Sequence, residues 1–514
     1  MQNYINMACL IFCVIVGGGL CVRLKNKLKG EKQMLKENKG ITLIALIITI
    51  IVMMILVAVS VTVALDGGLF GTAKDAASKT QIEAEKEILL SAVVGAIGTD
   101  ARVDFSKVQL PDGFTGENGV YESSSGNRFA VTENGEINQV TFIYKEKIEG
   151  LGTGVTLVPY VELTGELKTA ADLGKISAVL KETKDGVEYQ AVIPAGFEVS
   201  IKDGEDTISG GLVVSDANEN EFVWVPCTTD ESNTTGLIKY AKDISYNDGT
   251  KIWKSYLYMN YKDWTDENMN IDSVSKYGGF YVGRYEAGIP NNAPFYANAD
   301  GDVYITQGRN TTEYIPVSKR NNPSWNYISQ VNAKIVSENM YRNSISVESS
   351  LIDSYAWDTT VNWMESKKTG IAMNSINHGN YSDSDIYVLN GLYAELHYIP
   401  ETFAIKEFPT EYKKGTLEIT PASINEELTI YELATGATED TKILNIYDMA
   451  GNMWEWTTEV GNHGAEIDTT QYCVIRGGRM GLAGNDFPIS FRHGQPTVQD
   501  VTHWHGFRVV LYVK

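Results

Sequence analysis

A run of 25 uncharged residues at positions 41–65 limits what the N-terminal part of this chain can form. At about 1.5 Å per residue, a helix of this length is long enough to cross a hydrocarbon core of about 30 Å with some tilt. The basic stretch from Arg23 to Lys39 predicts that the N-terminal side lies in the cytoplasm and that everything after Asp66 lies outside. We therefore predict a single-pass cell-membrane protein with a transmembrane helix at 41–66 and an extracellular C-terminal part. A buried core helix is the alternative.

The junction between the basic stretch and the apolar run carries a second signal. The sequence MLKENKG at 34–40, followed by ITLIAL, resembles the leader of type IV pilin-like precursors. In that family a short basic leader ends in Gly and a prepilin peptidase cuts after it. The resemblance implies a leader at 1–40, cleavage between Gly40 and Ile41, and a prepilin peptidase as a partner. Ala45 replaces the family's Glu, which registers subunits in a filament, and this departure argues against filament assembly.

The start of the chain has two interpretations. Counted from Met1 the leader has 40 residues, which is long for this class, whereas counted from Met34 it has seven, which is typical. We therefore predict Met34 as the true start. The alternative keeps Met7–Val22 as a first membrane span, which would form a two-span hairpin with a Lys-rich loop.

The composition indicates that the chain is globular and acidic. Hydrophobic residues make up 43% of the 514 residues and charged residues 21%, which excludes wholesale disorder. The net charge of −22 argues against a nucleic-acid partner, because binding phosphates needs clustered Lys and Arg. The five Cys include no CxxC pair, which argues against structural zinc and a disulfide-dense scaffold. Whether Cys227 and Cys473 pair stays open at this point.

Two segments follow the apolar run. Residues 67–99 are predicted to form a stalk helix, because apolar residues such as Ile82, Ile88 and Leu89 recur close to helical spacing. Residues 100–188 hold short alternating runs, separated by Gly, Asn and Asp turns. We predict a small β-rich spacer module there, without a catalytic constellation.

All nine Trp lie after residue 220, which marks a large aromatic-rich domain at residues 189–514. Its segments include GGFYVGRYEAG at 278–288, YDMAGNMWEWTTE at 447–459, VIRGGRM at 474–480 and GFRVVLY at 506–512. In this order and spacing they resemble the formylglycine-generating enzyme, or sulfatase-modifying factor, superfamily. The resemblance implies a C-type-lectin-like fold with small mixed sheets and long loops. For the whole chain we predict the α+β class, with a long N-terminal transmembrane helix, a small β-rich module and this C-terminal domain.

The motif residues also have a structural interpretation. Trp454 and Trp456 are two residues apart, which predicts a pair of core anchors facing one side. Arg476 and Arg508 are predicted to be buried with carboxylate or carbonyl partners. The two Gly of the RGG motif allow close backbone approach or a positive φ.

The ligands that catalytic members of the superfamily use are missing. Formylglycine-generating enzymes hold copper with a pair of Cys shortly after the RGG strand, and the corresponding stretch here contains none. The sulfoxide-synthase branch uses a three-His iron site with an HxxxHxE element, which is also absent. His503 and His505 would lie on one face of a strand, but two exposed loop His are the favoured interpretation. We predict a protein without enzymatic activity and without catalytic residues.

The resemblance also implies a structural calcium ion, which in family structures lies at the GN-W-EW turn. Its ligands here would be the side chains of Asp448 and Glu455 and the carbonyl groups of Gly451 and Met453. Hard oxygen ligands of this kind suit Ca²⁺. The predicted ion would hold a loop in place and would carry no chemistry. A capped turn without an ion is the alternative.

The stretch 479–505, between RGG and GFR, is predicted to be the ligand-binding surface. In lectin-like folds this face binds ligands, and similar domains are the usual targets of diversity-generating retroelements. Exposed Trp and Arg are residue types that anchor interfaces. An ordinary solvated loop is the alternative. The candidate ligand-binding residues are Arg479, Met480, Asn485, Asp486, Phe487, Arg492, His493, Gln495, Asp500, His503, Trp504 and His505.

The predicted function is recognition. We expect a membrane-anchored, adhesin-like bacterial protein that presents a lectin-like surface to a protein or glycan ligand outside the cell, with the stretch 479–505 diversified by a retroelement. The second hypothesis is a minor pilin or pseudopilin subunit of a filament or secretion system. The third is a metal-dependent oxidase of the same superfamily.

Overall fold

The structure is a computed structural model that describes most of the chain from Leu69 onwards. The predicted leader, the processing residues Gly40 and Ile41 and the apolar run at 41–65 lie outside the described residues. The chain divides into two compact units, Met1–Glu83 and Ala84–Lys514. The described ranges are 69–98, 101–117, 119–131, 135–140, 144, 148, 150–242, 244–247, 252–254, 261–266, 270–295, 309–399, 404–407, 412–421, 428–463, 471–495 and 501–514.

Helices are few in the described part of the chain. The five α-helices are α1 (Leu69–Val94), α2 (Gly165–Asp172), α3 (Ile271–Tyr277), α4 (Gln330–Met340) and α5 (Ser354–Lys367). Short 3-10 helices cover Phe105–Lys107, Tyr160–Glu162 and Ile376–His378.

The predicted α+β class and membrane localisation are corrected by these elements. Over the described ranges the chain is mostly β, with 25 strands beside the few helices. No described helix is both long enough and apolar enough to cross a membrane. The longest, α1, has 26 residues but carries charged side chains along its length. The predicted long transmembrane helix and single-pass localisation are therefore not retained.

A central antiparallel sheet organises the second unit. Its strands lie in the order β16-β25-β15-β10-β9-β8, and β11 adds to β10 in parallel. The sheet places the end of the chain between two strands that lie far from it in sequence. The strands are β8 (Phe197–Val199), β9 (Val213–Asp216), β10 (Glu221–Thr228), β11 (Ile238–Lys239), β15 (Gly279–Gly283), β16 (Val347–Leu351) and β25 (Val509–Val513).

Both faces of this sheet are buried, which explains the continuous apolar run of β10. Phe222 and Trp224 pack into the larger of two hydrophobic clusters, whereas Val223 and Val225 pack into the other. Successive side chains of a strand point to opposite faces, so a sheet covered on both sides needs apolar residues at every position. Helix α5 covers the second face with Trp357 among others. Its first turn is capped by Asp353, whose carboxylate accepts a hydrogen bond from the backbone N–H of Ala356 at 2.7 Å.

A second sheet carries parts of all three motifs. Its order is β14-β21-β22-β23, and β24 pairs with β21 in parallel. The GN-W-EW motif enters β21, the RGG motif follows from β22 and the GFR motif begins in β24. The strands are β14 (Tyr261–Thr265), β21 (Trp454–His463), β22 (Gln471–Arg476), β23 (Arg492–Gln495) and β24 (His505–Phe507).

A third sheet is inserted between α5 and the GN-W-EW turn. The long strand β17 pairs with β18, β19 and β20, all antiparallel. Small hydrophobic clusters hold it together, separately from the two large ones. The strands are β17 (Ile386–Ile399), β18 (Ala404–Glu407), β19 (Lys413–Ile419) and β20 (Leu428–Leu433).

The remaining strands precede or flank the central sheet. A four-stranded antiparallel sheet runs in the order β1-β2-β3-β4, a three-stranded one in the order β5-β6-β7, and β12 pairs with β13. The hairpin β6–β7 packs into the same large hydrophobic cluster as the central sheet, and the predicted domain boundary at 188–189 falls inside β7. The strands are β1 (Phe114–Glu117), β2 (Val120–Ser123), β3 (Arg128–Val131), β4 (Ile137–Val140), β5 (Val155–Pro159), β6 (Ile176–Lys184), β7 (Val187–Pro194), β12 (Ser245–Asn247) and β13 (Ile252–Lys254).

Candidate functional site

A buried ion pair joins two of the motifs. The guanidinium of Arg508 donates to both carboxylate oxygens of Glu455, with Nη2 to Oε1 at 2.6 Å and Nε to Oε2 at 3.0 Å. Its remaining hydrogen bonds go to the carbonyl oxygens of Gly283 and Tyr447 at 2.9 and 3.0 Å. Arg508 and Glu455 are fully buried. The expectation of a buried Arg508 with carboxylate and carbonyl partners is confirmed.

The second motif arginine is held in the same way. Arg476 is fully buried and forms an ion pair with Asp358 of α5. Its Nε and Nη2 groups also donate to the carbonyl oxygens of Phe491 and Ser490, each at 3.2 Å. Trp454 and Trp456 are buried as expected for core anchors. The motif residues therefore fix the scaffold around the site.

The predicted calcium ligands already have protein partners. The carboxylate of Asp448 accepts hydrogen bonds from the backbone N–H of Gly436 at 2.6 Å and from the hydroxyl of Thr441 at 2.7 Å. The carboxylate of Glu455 forms the ion pair with the Arg508 guanidinium described above. Among the described residues no group of three or more His, Cys, Asp or Glu side chains is arranged to hold a metal ion. Calcium binding by Asp448, Gly451, Met453 and Glu455 stays a prediction, and it would require Glu455 to exchange Arg508 for the ion.

Asn452 connects this turn to the inserted sheet. It lies in the left-handed region with φ 56°. Its side-chain oxygen accepts from the N–H of Leu433 at 2.9 Å and from the amide of Asn380 at 3.0 Å. Its side-chain amide donates to Glu286 at 2.8 Å and to the carbonyl oxygen of Leu433 at 3.0 Å. Burial and the negative charges of Asp448 and Glu455 raise the pKa of Glu286 well above its usual range.

The two Gly of the RGG motif bring a loop against Tyr381. Gly477 and Gly478 have φ values of 90° and 75°, which a residue with a Cβ rarely adopts. The carbonyl oxygen of Gly477 accepts from the hydroxyl of Tyr381 and from the N–H of Gly451, at 2.7 and 2.8 Å. A Cβ at Gly478 would lie 2.7 Å from the ring of Tyr381. The loop that carries Arg479 therefore has a position fixed by backbone contacts.

The predicted ligand-binding stretch starts with a stacked pair. The guanidinium carbon of Arg479 lies 3.7 Å from the ring centroid of Trp504, and its Nη1 donates to the carbonyl oxygen of Met480 at 2.7 Å. Stacking on Trp is the geometry in which a cation gains most from an aromatic ring. Arg479, Met480 and Trp504 are all buried. These residues support the surface from below.

Three imidazoles lie close to this pair. His505 packs edge-on against Trp456 with ring centroids 4.5 Å apart, and His493 stacks on Trp454 at 6.0 Å. Burial, followed by the positive charge of Arg479, lowers the pKa values of His503 and His505 to about 3. Burial also lowers the pKa of His493. At neutral pH the cluster therefore carries one positive charge, on Arg479.

A polar cavity borders the beginning of the stretch. It has a volume of about 160 Å³ and lies where Met480 and Gly481 meet the inserted sheet. The other lining residues come from three places in the chain, before β17, at the end of β19 and along β20. They are Asn380, Tyr381, Ser382, Glu418, Ile419, Thr420, Leu428, Thr429, Ile430 and Tyr431.

The other predicted ligand-binding residues are divided between surface and interior. Asn485 and Asp486 are exposed, whereas Phe487 and Gln495 are half-buried. Phe487 packs against Trp454 and Phe491. Arg492 is buried and forms an ion pair with Glu459. Asp500 lies outside the described residues.

Sequence reasoning missed the lining residues outside the stretch. Ser382, Thr420 and Thr429 belong to no motif and show no spacing that links them. They line one cavity although they lie before β17, after β19 and in β20. The one signal in the sequence was the position of Asn380, in a Gly-Asn-Tyr segment that follows directly on the helix-rich part of the domain.

Comparison with known proteins supports part of the resemblance. The profile of the Sulfatase-modifying factor enzyme 1-like domain matches residues 401–513. That range holds the GN-W-EW, RGG and GFR motifs, so the resemblance is confirmed there. No curated protein matches the chain. The pilin-like N-terminal segment finds no support in these comparisons.

Several solved structures are also similar to the chain. The P3c, U1 and M1 variants of Major Tropism Determinant each share 10% identity with it, at a TM-score of 0.25. The first match covers 82% of this chain and 97% of that protein, the second 82% and 98%, and the third 78% and 96%. A superposition this loose does not transfer function.

Replacing Arg508 tests the ion pair that joins the motifs. Arg508→Met leaves the Glu455 carboxylate buried without its partner, and we expect a loss of about 3–5 kcal/mol in the free energy of unfolding. The double variant Arg508→Met with Glu455→Gln should recover part of that loss. Arg320→Met, at the exposed ion pair with Glu439, should cost at most about 1 kcal/mol. Urea unfolding followed by Trp fluorescence measures all three. Equal losses of unfolding free energy for Arg508→Met and Arg320→Met would contradict the stabilising role assigned to the buried ion pair.

His505 should make the fold sensitive to acid. Its pKa falls from 6.5 to about 3 on folding, so between these values only the unfolded chain binds the proton. Stability is therefore lost as the pH falls below 6.5, with a slope of about 1.4 kcal/mol per pH unit for this group. His505→Phe should lower the total slope by that amount between pH 4 and 6. Urea unfolding at a series of pH values measures it, and an unchanged slope would disprove the prediction.

Proposed function

We propose that the chain is an adhesin-like recognition protein and that its ligand is a carbohydrate residue bound in the polar cavity. The observation that carries the proposal is the position of this cavity. Met480 and Gly481, at the start of the stretch 479–505, line it directly. The C-type-lectin-like fold implied by the motifs is consistent with a ligand site on this face.

The chemistry of the cavity favours a sugar. Its lining includes the hydroxyl groups of Ser382, Thr420, Thr429 and Tyr431, and the one ionisable acid is Glu418. Hydroxyl groups can donate to and accept from sugar hydroxyls, a carboxylate accepts from them, and the Tyr ring offers an apolar face. A volume of about 160 Å³ is below the roughly 300–1,000 Å³ of pockets for drug-sized ligands. One monosaccharide unit suits that size, with the rest of a glycan extending into solvent.

We also propose that recognition proceeds without catalysis. The described thiols are Cys227 and Cys473, which are both buried and lie in different hydrophobic clusters, unpaired with each other. Burial raises the pKa of Cys473 to about 12 and that of Cys227 further. A thiolate is the form that attacks a substrate or binds a metal, and neither group supplies one at neutral pH. The match to the Sulfatase-modifying factor enzyme 1-like domain alone does not decide catalytic activity.

Filling the cavity tests the ligand assignment. Thr429→Trp places a large side chain in the cavity and should lower the affinity for neutral glycans by about ten-fold or more, which corresponds to about 1.4 kcal/mol. Thr416→Trp, on the exposed surface of the same sheet, is the matched control and should leave affinity unchanged. The probes are an array of neutral mono- and oligosaccharides, followed by calorimetry with those that bind.

Two outcomes would overturn the carbohydrate proposal. One is equal glycan binding by both variants. The other is the absence of binding to any neutral glycan by the unchanged protein, in which case a protein ligand becomes the better hypothesis. Trp fluorescence of both variants establishes that they fold.

Diversification of the stretch is a separate proposal with its own test. Sequences of 479–505 from sister isolates should differ mainly at exposed or half-buried positions such as Asn485, Asp486 and Gln495. The buried Arg476 and Arg508 should stay constant, because each holds a buried carboxylate. Substitutions spread evenly over the whole domain would exclude a diversified surface and leave a fixed specificity.

A further inference from the structure

A second cavity lies between α2 and α3, in a part of the chain that the proposed function does not use. Its volume is about 140 Å³. Two Lys side chains reach it, one from the turn after α2 and one from the last turn of α3. The lining residues are Glu166, Thr169, Ala170, Leu173, Lys175 and Lys276.

These two lysines differ from several other lysines in the described part of this acidic chain. Lys168, Lys239, Lys413 and Lys442, among others, each form an ion pair with a carboxylate. Within the described ranges, no carboxylate lies within ion-pair distance of Lys175 or Lys276. In a chain with a net charge of −22, a cavity lined by two Lys and a single acid, Glu166, is unusual.

Hydrogen bonds fix the backbone at both lysines. The N–H of Lys175 donates to the carbonyl oxygen of Ala170 at 2.9 Å, and its own carbonyl oxygen accepts from Ala195 at 3.0 Å. Lys276 lies in the last turn of α3, which ends at Gly278 with φ 79°. Its amine lies 4.8 Å from the ring centroid of Tyr277. A cation at a helix C-terminus is itself favourable, which accounts for Lys276 but not for Lys175 on the other side of the cavity.

The local field is positive. Burial and the charges of Lys276 and Lys514 lower the pKa of Lys175. The Lys514 amine donates to the carbonyl oxygen of Ser344 at 2.6 Å, which keeps it close without placing it in the lining. A bound anion would relieve this repulsion. Glu166 is the one acid in the lining, and its carboxylate repels anions. The bound anion therefore has to be small enough to stay out of contact with Glu166.

We propose that this cavity binds a sulfate or phosphate group. Lys presents a compact charge with three N–H donors and commonly binds phosphate groups as a point charge. The hydroxyl of Thr169 lies at the rim and donates to the carbonyl oxygen of Gly165 at 3.3 Å, so the two Lys are the donors of the site. The group is either a free anion or the ester of a sulfated or phosphorylated sugar.

Calorimetry with the full chain at low ionic strength tests the proposal. The probes are inorganic sulfate, inorganic phosphate, glucose 6-sulfate and glucose 6-phosphate. Lys175→Gln and Lys276→Gln should each weaken binding by about ten-fold or more. Lys175→Arg keeps the charge and should retain most of the affinity. Lys413→Gln makes the same charge change at a remote ion pair and should alter affinity less than about two-fold.

The outcomes distinguish a free anion from a sugar ester, and they distinguish this anion site from the proposed carbohydrate site. Binding of the free anions alone identifies an inorganic ligand, and tighter binding of the esters identifies a sugar-linked one. Equal binding by Lys175→Gln, Lys276→Gln and Lys413→Gln would show that net charge alone acts, and it would overturn the site, as would no binding of any of the four probes. Thr429→Trp should not change these affinities, so either proposal can fail without the other.

Discussion

The buried pair Arg508–Glu455 is the interaction on which the rest of the C-terminal part depends. It ties β21 to the junction of β24 and β25, and its other bonds reach β15 and the turn that precedes β21. A guanidinium and a carboxylate taken out of water lose several kcal/mol of hydration each, which only a full set of hydrogen bonds offsets. That requirement fixes the geometry, because a small shift of any partner would leave a buried charge unsatisfied. Two sheets that share few strand contacts are thereby held in one arrangement.

The side-chain amide of Asn452 connects the buried ion pair to the cavity. Asn452 lies between the buried carboxylates and the inserted sheet, and it uses both its oxygen and its N–H groups to hold Leu433 and Asn380. Asn380 in turn donates to the carbonyl oxygen of Tyr431, which lines the cavity. The cavity is therefore built on a rigid polar network, and residues that carry hydroxyl groups line it. Rigid support of this kind lowers the entropy that binding costs.

The motifs predicted this scaffold better than they predicted the surface. A buried Arg476, a buried Arg508 and the Trp pair could be expected from residue type and spacing, because a buried charge needs a partner and an aromatic residue needs a core. Arg479 and His505 are polar in sequence but buried in the structure, since a stacking ring and the removal of imidazole charge make their burial tolerable. The cavity could not be predicted from the sequence, because the inserted sheet brings together residues that show no common periodicity along the chain. The α+β class rested on the long apolar run at 41–65, which lies outside the described residues, whereas the described ranges are mostly strands.

The charge distribution sets what each cavity can bind. At physiological ionic strength a charge is felt over roughly 8 Å, so the acidic body repels anions only at short range. The cavity of Lys175 and Lys276 has two Lys and one Glu in its lining, so the proposed anion would meet a local excess of positive charge although the chain as a whole is negative. The cavity beside Met480 has the opposite character: its groups are hydroxyls and one carboxylate, and a neutral ligand enters it without losing the hydration of a full charge. A sulfate or phosphate would be repelled there by Glu418, whereas in the other cavity two Lys outnumber Glu166, so we expect the two cavities to favour different chemical groups.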